Sequence, residues 1–524
     1  MRHLLCAIIS ILFICSCQEN YVPDRVQISN ASKNPSTIPF KKYLGVNVFE
    51  WDFVDEKVSS SVIDEKRMAL IKSFGGVRHY LDWARMENKP GKYTFNPTHN
   101  GGAYYDVIYK RLKDENIEVL VCIKNVSKWF VSSYPKAEQG DDNTPVPYGY
   151  DKSKPQSYII QAKMAFQFAA RYGANQIINK SLISVDTTLR WNGDDANTQL
   201  VGLNLIKYVE CNNEPDKWWG GKKAQQTPEE YAANMSAFYD GHKGTLGKNV
   251  GVKNADPNMQ VVMGGLGVAE PEFVEKMIEW CRKNRGLKAN GTVNLCFDVI
   301  NYHLYSNNSF LTGKEATVGV APELSDIGKV ADKFIKMAKE RAPGIEVWVT
   351  ETGYDIGKTP QGALPIKSKS SKITQADWNL RTSLLYARHG ISRCMFYMLD
   401  DAGDIESTGQ YSSSGFHDDF KPRPSADYML QTKKLIGDFF YTATLSNEPI
   451  VDLYKKGIKQ IYVLTIPDQT GRTANYQLNL GNSKQAIIHS LQVGKSEMLH
   501  QTVSTKNGKL IVKVTETPIF VEKL

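Results

Sequence analysis

Lys207-Tyr208-Val209-Glu210-Cys211-Asn212-Asn213-Glu214-Pro215 and Glu346-Val347-Trp348-Val349-Thr350-Glu351-Thr352-Gly353-Tyr354 share one form: a short apolar run that stops at a polar rim carrying a glutamate. Runs of this length, rich in β-branched residues and bounded by turn signals, read as strands buried on both faces, as in a parallel sheet. Six more runs of the same kind are Tyr43 to Val48, Val77 to Leu81, Val119 to Ile123, Gln260 to Gly264, Val299 to Leu304 and Cys394 to Leu399. Helical periodicity separates them. Before the seventh run, Ile327, Val330, Ala331, Phe334, Ile335 and Ala338 mark one buried helical stripe, and Gly344 closes the segment. Strands alternating with helices predict an α/β fold, a (β/α)₈ TIM barrel over residues 40–437, with the two glutamates at the ends of its fourth and seventh strands.

That span is long for the fold, so some loops must be extended. The longest connection follows the third strand. Residues 131–198 combine the turn-rich Gln139 to Lys154, a helical stretch from Ser157 to Tyr172, and Trp191, and are expected to form a wall of the cleft. No repeat of solenoid length is present. Beyond Gly437 the pattern changes to alternating strands, such as Gln460 to Ile466, Tyr476 to Leu480, Ala486 to Val493 and Lys509 to Val514, separated by Gly, Asn and Asp turns. This predicts an all-β sandwich domain over 438–524, packed on the barrel rather than serving as a carbohydrate-binding module.

The N-terminus carries its own signal. Arg2 and His3 precede an apolar run from Leu4 to Ile14, too short to span a bilayer and suited to a secretory leader, residues 1–16. Ile14-Cys15-Ser16-Cys17 resembles a bacterial lipobox, which implies lipidation at Cys17 and a lipoprotein at the outer membrane or cell surface, with 17–39 as a polar tether. The only membrane contact expected is that lipid anchor. The net charge of +8 arises from 64 basic and 56 acidic residues without a basic block, so it is read as solubility, with no nucleic-acid partner, and a monomer is expected. Beyond Cys17 remain Cys122, Cys211, Cys281, Cys296 and Cys394; none has metal-ligand spacing, most sit in apolar runs, and no structural disulfide is predicted.

Asn213-Glu214-Pro215 after the fourth strand and Thr350-Glu351-Thr352-Gly353-Tyr354 after the seventh resemble the signatures of clan A glycoside hydrolases, retaining (β/α)₈ enzymes. Arg78, in Val77-Arg78-His79-Tyr80-Leu81-Asp82-Trp83, and His303 with Tyr305 fall where such enzymes place active-site side chains. The resemblance spans nearly the whole barrel and implies Glu214 as acid/base and Glu351 as nucleophile. It further implies that Asn213 bonds the sugar 2-hydroxyl, Arg78 keeps Glu351 ionised, Tyr305 orients it, and His303 contacts the sugar or Glu214. There is one departure. Strand eight in this clan commonly carries a Trp under the reacting sugar, whereas here it reads Met395-Phe396-Tyr397-Met398-Leu399-Asp400-Asp401, leaving Tyr397 or Phe396 as replacement and Asp400 or Asp401 as hydroxyl ligands or strand ends.

The chemistry explains the pair. Glycosidic cleavage passes through an oxocarbenium-like state that needs a proton on the leaving oxygen and negative charge at the anomeric carbon, and in the retaining route the carboxyls stand about 5 to 5.5 Å apart. At that spacing one carboxyl can stay protonated while the other is ionised. Sugar rings stack on aromatics, making Trp51, Trp83, Trp129, Trp218 and Trp219 candidate platforms, with the Trp218-Trp219 pair foremost because it follows the Glu214 loop. These features point to an endo-acting hydrolase of a β-linked polysaccharide, of β-glucan or algal galactan type, needing no cofactor and no metal. The alternatives are an exo-acting β-glycosidase and a non-catalytic glycan-binding lipoprotein. A metal-dependent hydrolase is disfavoured because no His-x-His or other His cluster sits at a strand end.

Overall fold

The computed structural model describes residues 35–55, 57–309 and 318–524. The leader 1–16, Cys17 and the tether up to residue 34 lie outside the described residues. Eight parallel strands close into a barrel: β1 Gly45–Val48, β2 Gly76–Asp82, β3 Glu118–Lys124, β4 Tyr208–Cys211, β5 Gln260–Met263, β6 Val299–His303, β7 Glu346–Thr352 and β8 Arg393–Phe396. Each is followed by a covering helix: α1 Glu65–Ile71, α2 Tyr105–Asp114, α3 Ile159–Tyr172, α4 Pro228–Asp240, α5 Pro271–Arg285, α6 Ile327–Arg341, α7 Ser371–Arg388 and α8 Pro424–Ile436. Local chemistry sets the helix starts. Thr227 and Glu230 form a reciprocal capping box at the head of α4, with Pro228 at the first helical position.

Period-two alternation sorts the strand residues into two environments. Val77, Val209, Ile300, Val347 and Val349 face the helices and join the main core, whereas Leu120, Tyr208, Val262, Val299, Trp348 and Met395 form a separate apolar layer inside the barrel. Below that layer Glu118 pairs with Arg393 at 2.7 Å and Lys42 at 2.5 Å, closing the N-terminal end. Two positions further along their strands, Asn47, Arg78, Glu210, Asn301 and Thr350 make a polar layer, and the rim lies above it.

The connection expected as one wall, 131–198, is two structures. Its stretch from Ile159 is α3, the ordinary cover of β3. Residues 125–153 close on themselves, Val126 N–H donating to Asp141 O, and brace the loop after β4, where Asp142 pairs with Lys217 at 2.7 Å and Thr144 N–H donates to Lys223 O. Residues 173–207 instead follow α3, reach up to the loops after β2, and return. Asn197 Oδ1 accepts from the Phe95 and Asn96 N–H groups there, and Asp186 N–H donates to Tyr93 O, before Leu203 and Ile206 N–H donate to Arg171 O and Tyr172 O. Trp191 belongs to this excursion, under the Arg190 guanidinium.

The C-terminal strands are β9 Phe440–Asn447, β10 Ile450–Lys456, β11 Lys459–Thr465, β12 Ala474–Asn479, β13 Gln485–Ser490, β14 Leu499–Ser504, β15 Lys509–Val514 and β16 Ile519–Lys523. They form a six-stranded sheet, β9-β10-β11-β16-β13-β14, faced by the pair β12-β15. Val451, Leu453 and Leu464 of the large sheet meet Leu478, Leu510 and Val512 of the small one. The other face of the large sheet, through Tyr454, Ile461, Val463 and Phe520, is continuous with the barrel's helical core. A fully buried ion pair, Arg388 of α7 with Asp452 of β10 at 3.0 Å, crosses this junction. The segment read as a tether is docked here from Ser36 on: Ser36 N–H donates to Tyr441 O, and Pro39 bridges Phe440. The five described cysteines are all buried thiols, with the Cys281 and Cys296 sulfurs 3.4 Å apart.

Candidate active site

A β-bulge decides where Glu351 points. Tyr302 pairs with Val349 but His303 pairs with Glu351, so Thr350 is an extra residue in β7. Strict alternation would send Glu351 outward with Val347 and Val349; the bulge turns it over the barrel mouth beside Thr350, as bulges next to active sites commonly do. Glu214 sits on the opposite side in a left-handed backbone conformation, φ +47°, held by its N–H donating to Gly265 O at 3.1 Å. Such a conformation is strained for a non-glycine residue and persists only where neighbours enforce it. Two residues earlier Asn212 is also left-handed, φ +65°, and is fixed by a ring of three amides: Gln161 donates to Asn212, Asn212 to Asn234, and Asn234 back to Gln161. Asp216 adds two bonds, accepting from the Gly267 and Val268 N–H groups.

The run Gly264-Gly265-Leu266-Gly267 after β5 provides the space. A Cβ on Gly265 would lie 2.0 Å from His303 Nε2, and one on Gly267 would lie 2.6 Å from the Trp219 ring and 3.2 Å from the Glu214 carboxyl carbon. Only glycine lets both rings and the carboxyl approach the backbone this closely.

Arg78 is the hub. Fully buried, it donates Nε and Nη2 to Glu210 at 2.7 and 2.8 Å, Nη1 to Glu351 Oε1 at 2.8 Å, and Nη2 to Asn213 Oδ1 at 2.8 Å. Tyr80 donates to Glu351 Oε1, and Tyr305 donates to Oε2 at 3.0 Å. Burial alone would push the Glu351 carboxyl up; the nearby His303 ring, the Arg78 charge and the Tyr80 and Arg78 hydrogen bonds outweigh it and hold the group below the usual carboxylate range. Burial pushes the Tyr80 and Tyr305 hydroxyls well up, so both stay protonated donors. Asn213 Oδ1 accepts from Arg78 and lies 3.0 Å from the Tyr80 hydroxyl, which leaves its amide nitrogen to donate into the mouth. His303, read as contacting either sugar or carboxyl, has Nδ1 3.0 Å from Glu214 Oε1 and Nε2 3.1 Å from Thr350 Oγ1.

One ligating atom each of Glu214, His303 and Glu351 lie within 4.8 Å of one another. Three such atoms could grip a cation, but Arg78 already places a positive charge 2.8 Å from Glu351, which opposes one.

The aromatic candidates divide. Trp83 is fully buried core with Nε1 bonded to Glu87, and Trp129, partly buried, packs against that core and donates to Glu87 O. Trp218 and Trp219 are 67% and 52% exposed and meet edge to face beside Glu214. Trp51, 39% exposed, stacks on Phe49 at 4.5 Å, which stacks on Tyr80, so a line of rings runs outward from the Glu351 side. Tyr397 stands edge-on to Tyr80 and to Tyr411, and Tyr411 packs on Tyr305; Phe396 is buried in the core. Asp401 is spent on Arg423 and Asp400 on Arg67 and His417, so both tie the loop after β8.

Sequence reading missed Tyr80, Glu210, Asn47, Asn301 and Tyr411. For the first four the signal existed: each is a polar or hydroxylated residue at the inward phase of a strand. Tyr411 lies in an irregular loop with no such periodicity.

Against solved proteins the geometry finds a clear echo. The chain shares its fold with glycoside hydrolases. A family 39 glycoside hydrolase from the gut symbiont Bacteroides cellulosilyticus WH2 matches at a TM-score of 0.60 and 18% identity, over 94% of this chain and 83% of that one. A glucosidase from Croceicoccus marinus matches at 0.52 and 13%, over 94% and 98%. A family 30 subfamily 8 xylanase from Clostridium acetobutylicum matches at 0.50 and 12%, over 94% and 100%. No family profile matches the sequence, and no curated protein does.

Proposed function

We propose that this chain is a retaining glycoside hydrolase that cleaves β-glycosidic bonds within a polysaccharide. The observation that carries the reading is the carboxyl pair: Glu214 and Glu351 face each other across the mouth with oxygens within 4.8 Å, the close spacing of a double displacement rather than the 6.5 to 9.5 Å or so of an inverting pair. Glu351 Oε2 attacks the anomeric carbon while Glu214 protonates the departing oxygen; Glu214 then takes a proton from water as that water releases the sugar from Glu351. Arg78, Tyr80 and Tyr305 hold the nucleophile ionised and aligned, and Asn213 donates to the sugar 2-hydroxyl.

Endo action follows from exposed rings on both sides of the pair, Trp218-Trp219 beyond Glu214 and Trp51 beyond Tyr80, which offer platforms for sugars either side of the bond cut. The acid's side is the leaving-group side, so Trp219 serves the departing portion and Trp51 the portion retained on Glu351. Lipidation at Cys17 would hold the monomeric enzyme at the outer membrane or cell surface, and Cys17→Ala should then abolish incorporation of a labelled fatty acid.

Product profiling over a polysaccharide panel, by oligosaccharide size against time, tests linkage and mode together. Glu351→Ala and Glu214→Ala should each abolish most turnover with folding intact, and azide should partly rescue the second on an activated aryl glycoside. Unchanged turnover in either variant overturns the assignment.

A further inference from the structure

We infer that a one-way chain of hydrogen bonds starting at Glu210 locks His303 as its Nε2–H tautomer, so that Glu214 owns the proton on the line between them. Glu210, bidentate to Arg78 and accepting from Gly265 N–H, can only accept. Asn301 therefore presents Nδ2 to it, at 3.3 Å, and turns Oδ1 toward Thr350. The Thr350 hydroxyl, 3.0 Å from that oxygen, must give it its single hydrogen. Thr350 Oγ1 is then an acceptor for the ring nitrogen 3.1 Å away, which must carry a hydrogen. That leaves Nδ1 bare in the neutral ring, 3.0 Å from Glu214 Oε1, where it accepts from the carboxylic acid. Glu210, Asn301, Thr350 and His303 are buried, Glu214 is half-buried at the mouth, and Gly265 clears the space through which Nε2 reaches Thr350.

The consequence deepens the hydrolase reading and rests on it only for the kinetics: Thr350, Asn301 and Glu210 become positioning residues for the proton donor. An imidazole in the other tautomer would donate to Glu214 and favour its carboxylate, the form unable to start cleavage. The bulge that re-aims Glu351 thus has a second use, since its extra residue, Thr350, is the one that orients His303. The other groups facing Glu214 are Glu351 of β7, whose Oε1 also lies 3.5 Å from His303 Nδ1, Tyr397 and Tyr411 beyond β8, and Asp216 on its own loop. None of them bonds to His303 Nε2.

Two measurements test this on the full chain. In protein labelled with ¹⁵N-histidine, with His303 assigned from the signals lost in His303→Gln, the ring nitrogens at neutral pH should read as protonated Nε2 and bare Nδ1; a protonated Nδ1 in the neutral ring overturns the proposal. In Thr350→Val the alkaline limb of the kcat/KM profile should move roughly 1 pH unit lower, with Thr350→Ser restoring it. A Thr350→Val enzyme that is slower but has an unmoved limb assigns Thr350 to packing alone and also overturns it. Should the wild-type chain hydrolyse no glycoside, the hydrolase reading fails, while the nitrogen shifts still decide the tautomer.

Discussion

Replacing Arg78 by methionine keeps the buried stem and removes the charge. In the native barrel this guanidinium, fully inaccessible, makes two bonds to Glu210 and one to Glu351, whose side chains are 0% and 6% exposed. Methionine leaves two carboxylates facing each other in a water-poor layer without a counter-ion. Removing one partner of a buried pair costs about 3 to 5 kcal/mol, and with two acceptors stranded the upper end, ~5 kcal/mol, is expected at pH 7. The pH dependence follows from Glu351, whose carboxyl is held below its ordinary value against the effect of burial by the nearby His303 ring and by the charge and hydrogen bond of Arg78. A group depressed in the folded state contributes stability that is present above its unfolded value, about 4.3, and lost as the pH falls through the folded value. Native and Arg78→Met proteins should therefore differ most at neutral pH and converge below about pH 4. Guanidinium unfolding followed by tryptophan fluorescence at pH 7 and pH 3.5 or so measures both. A deficit under about 1 kcal/mol at pH 7, or one of equal size at both pH values, refutes the assignment of Arg78 as the charge that sustains the layer.

Three further outcomes follow. Asn213→Ala should lower kcat by about 100-fold or more with a small change in KM, since a bond to the 2-hydroxyl strengthens in the transition state; a pure KM effect would remove Asn213 from that role. Trp219→Ala should weaken use of a long polysaccharide by roughly 3- to 10-fold while sparing an aryl monoglycoside whose leaving group does not reach the ring, and equal losses on both substrates would show damage to Glu214 instead. Arg388→Leu strands Asp452, whose carboxyl burial already pushes up from its ordinary value, and should cost about 3 kcal/mol or more, whereas Arg388→Leu with Asp452→Leu should recover most of it; a double variant as unstable as the single would show that packing, not charge, governs the junction.

The barrel was legible because its strands are apolar runs and their spacing leaves room for one helix each. All eight lie within two or three residues of the runs read from the sequence, and the helical stripe from Ile327 became α6. What resisted reading is instructive. The helix that covers β3 was absorbed into an apparent insertion because 173–207, which follows it, has no periodicity; its shape comes from side chain to backbone bonds such as those of Asn197 and Gln167, which leave no trace in a hydrophobic pattern. In the sandwich, β9, β10, β14 and β16 went unlisted. β14 in particular alternates weakly, being exposed at nearly every position on the sheet edge. Glu214 and Glu351 stand out in the sequence because they end strands, while Glu210 was passed over because it sits inside one, although alternation from Tyr208 through Glu210 already points it inward beside Arg78.

The absence of a tryptophan after strand eight is best understood through the surroundings of Glu351. Glu351 has one oxygen held by Arg78 and Tyr80 and the other by Tyr305, so the carboxylate cannot rotate without breaking bonds at both ends. Tyr397 fills the gap between Tyr80 and Tyr411, and Tyr411 closes on Tyr305, so four phenols enclose the carboxylate where a single indole would serve as a floor. Burial keeps all four protonated, so the enclosure adds donors and apolar faces without adding charge. A phenol is smaller than an indole and presents a hydroxyl at its tip. In the proposed hydrolase, a sugar on Glu351 should then be recognised by hydrogen bonds from the Tyr397 and Tyr411 hydroxyls as much as by stacking. Tyr397→Phe should accordingly lose discrimination among sugars, measured as the ratio of kcat/KM between aryl glycosides differing at one hydroxyl, while Tyr397→Trp should keep stacking and lose the same discrimination. Unchanged ratios in both variants would return Tyr397 to a packing role.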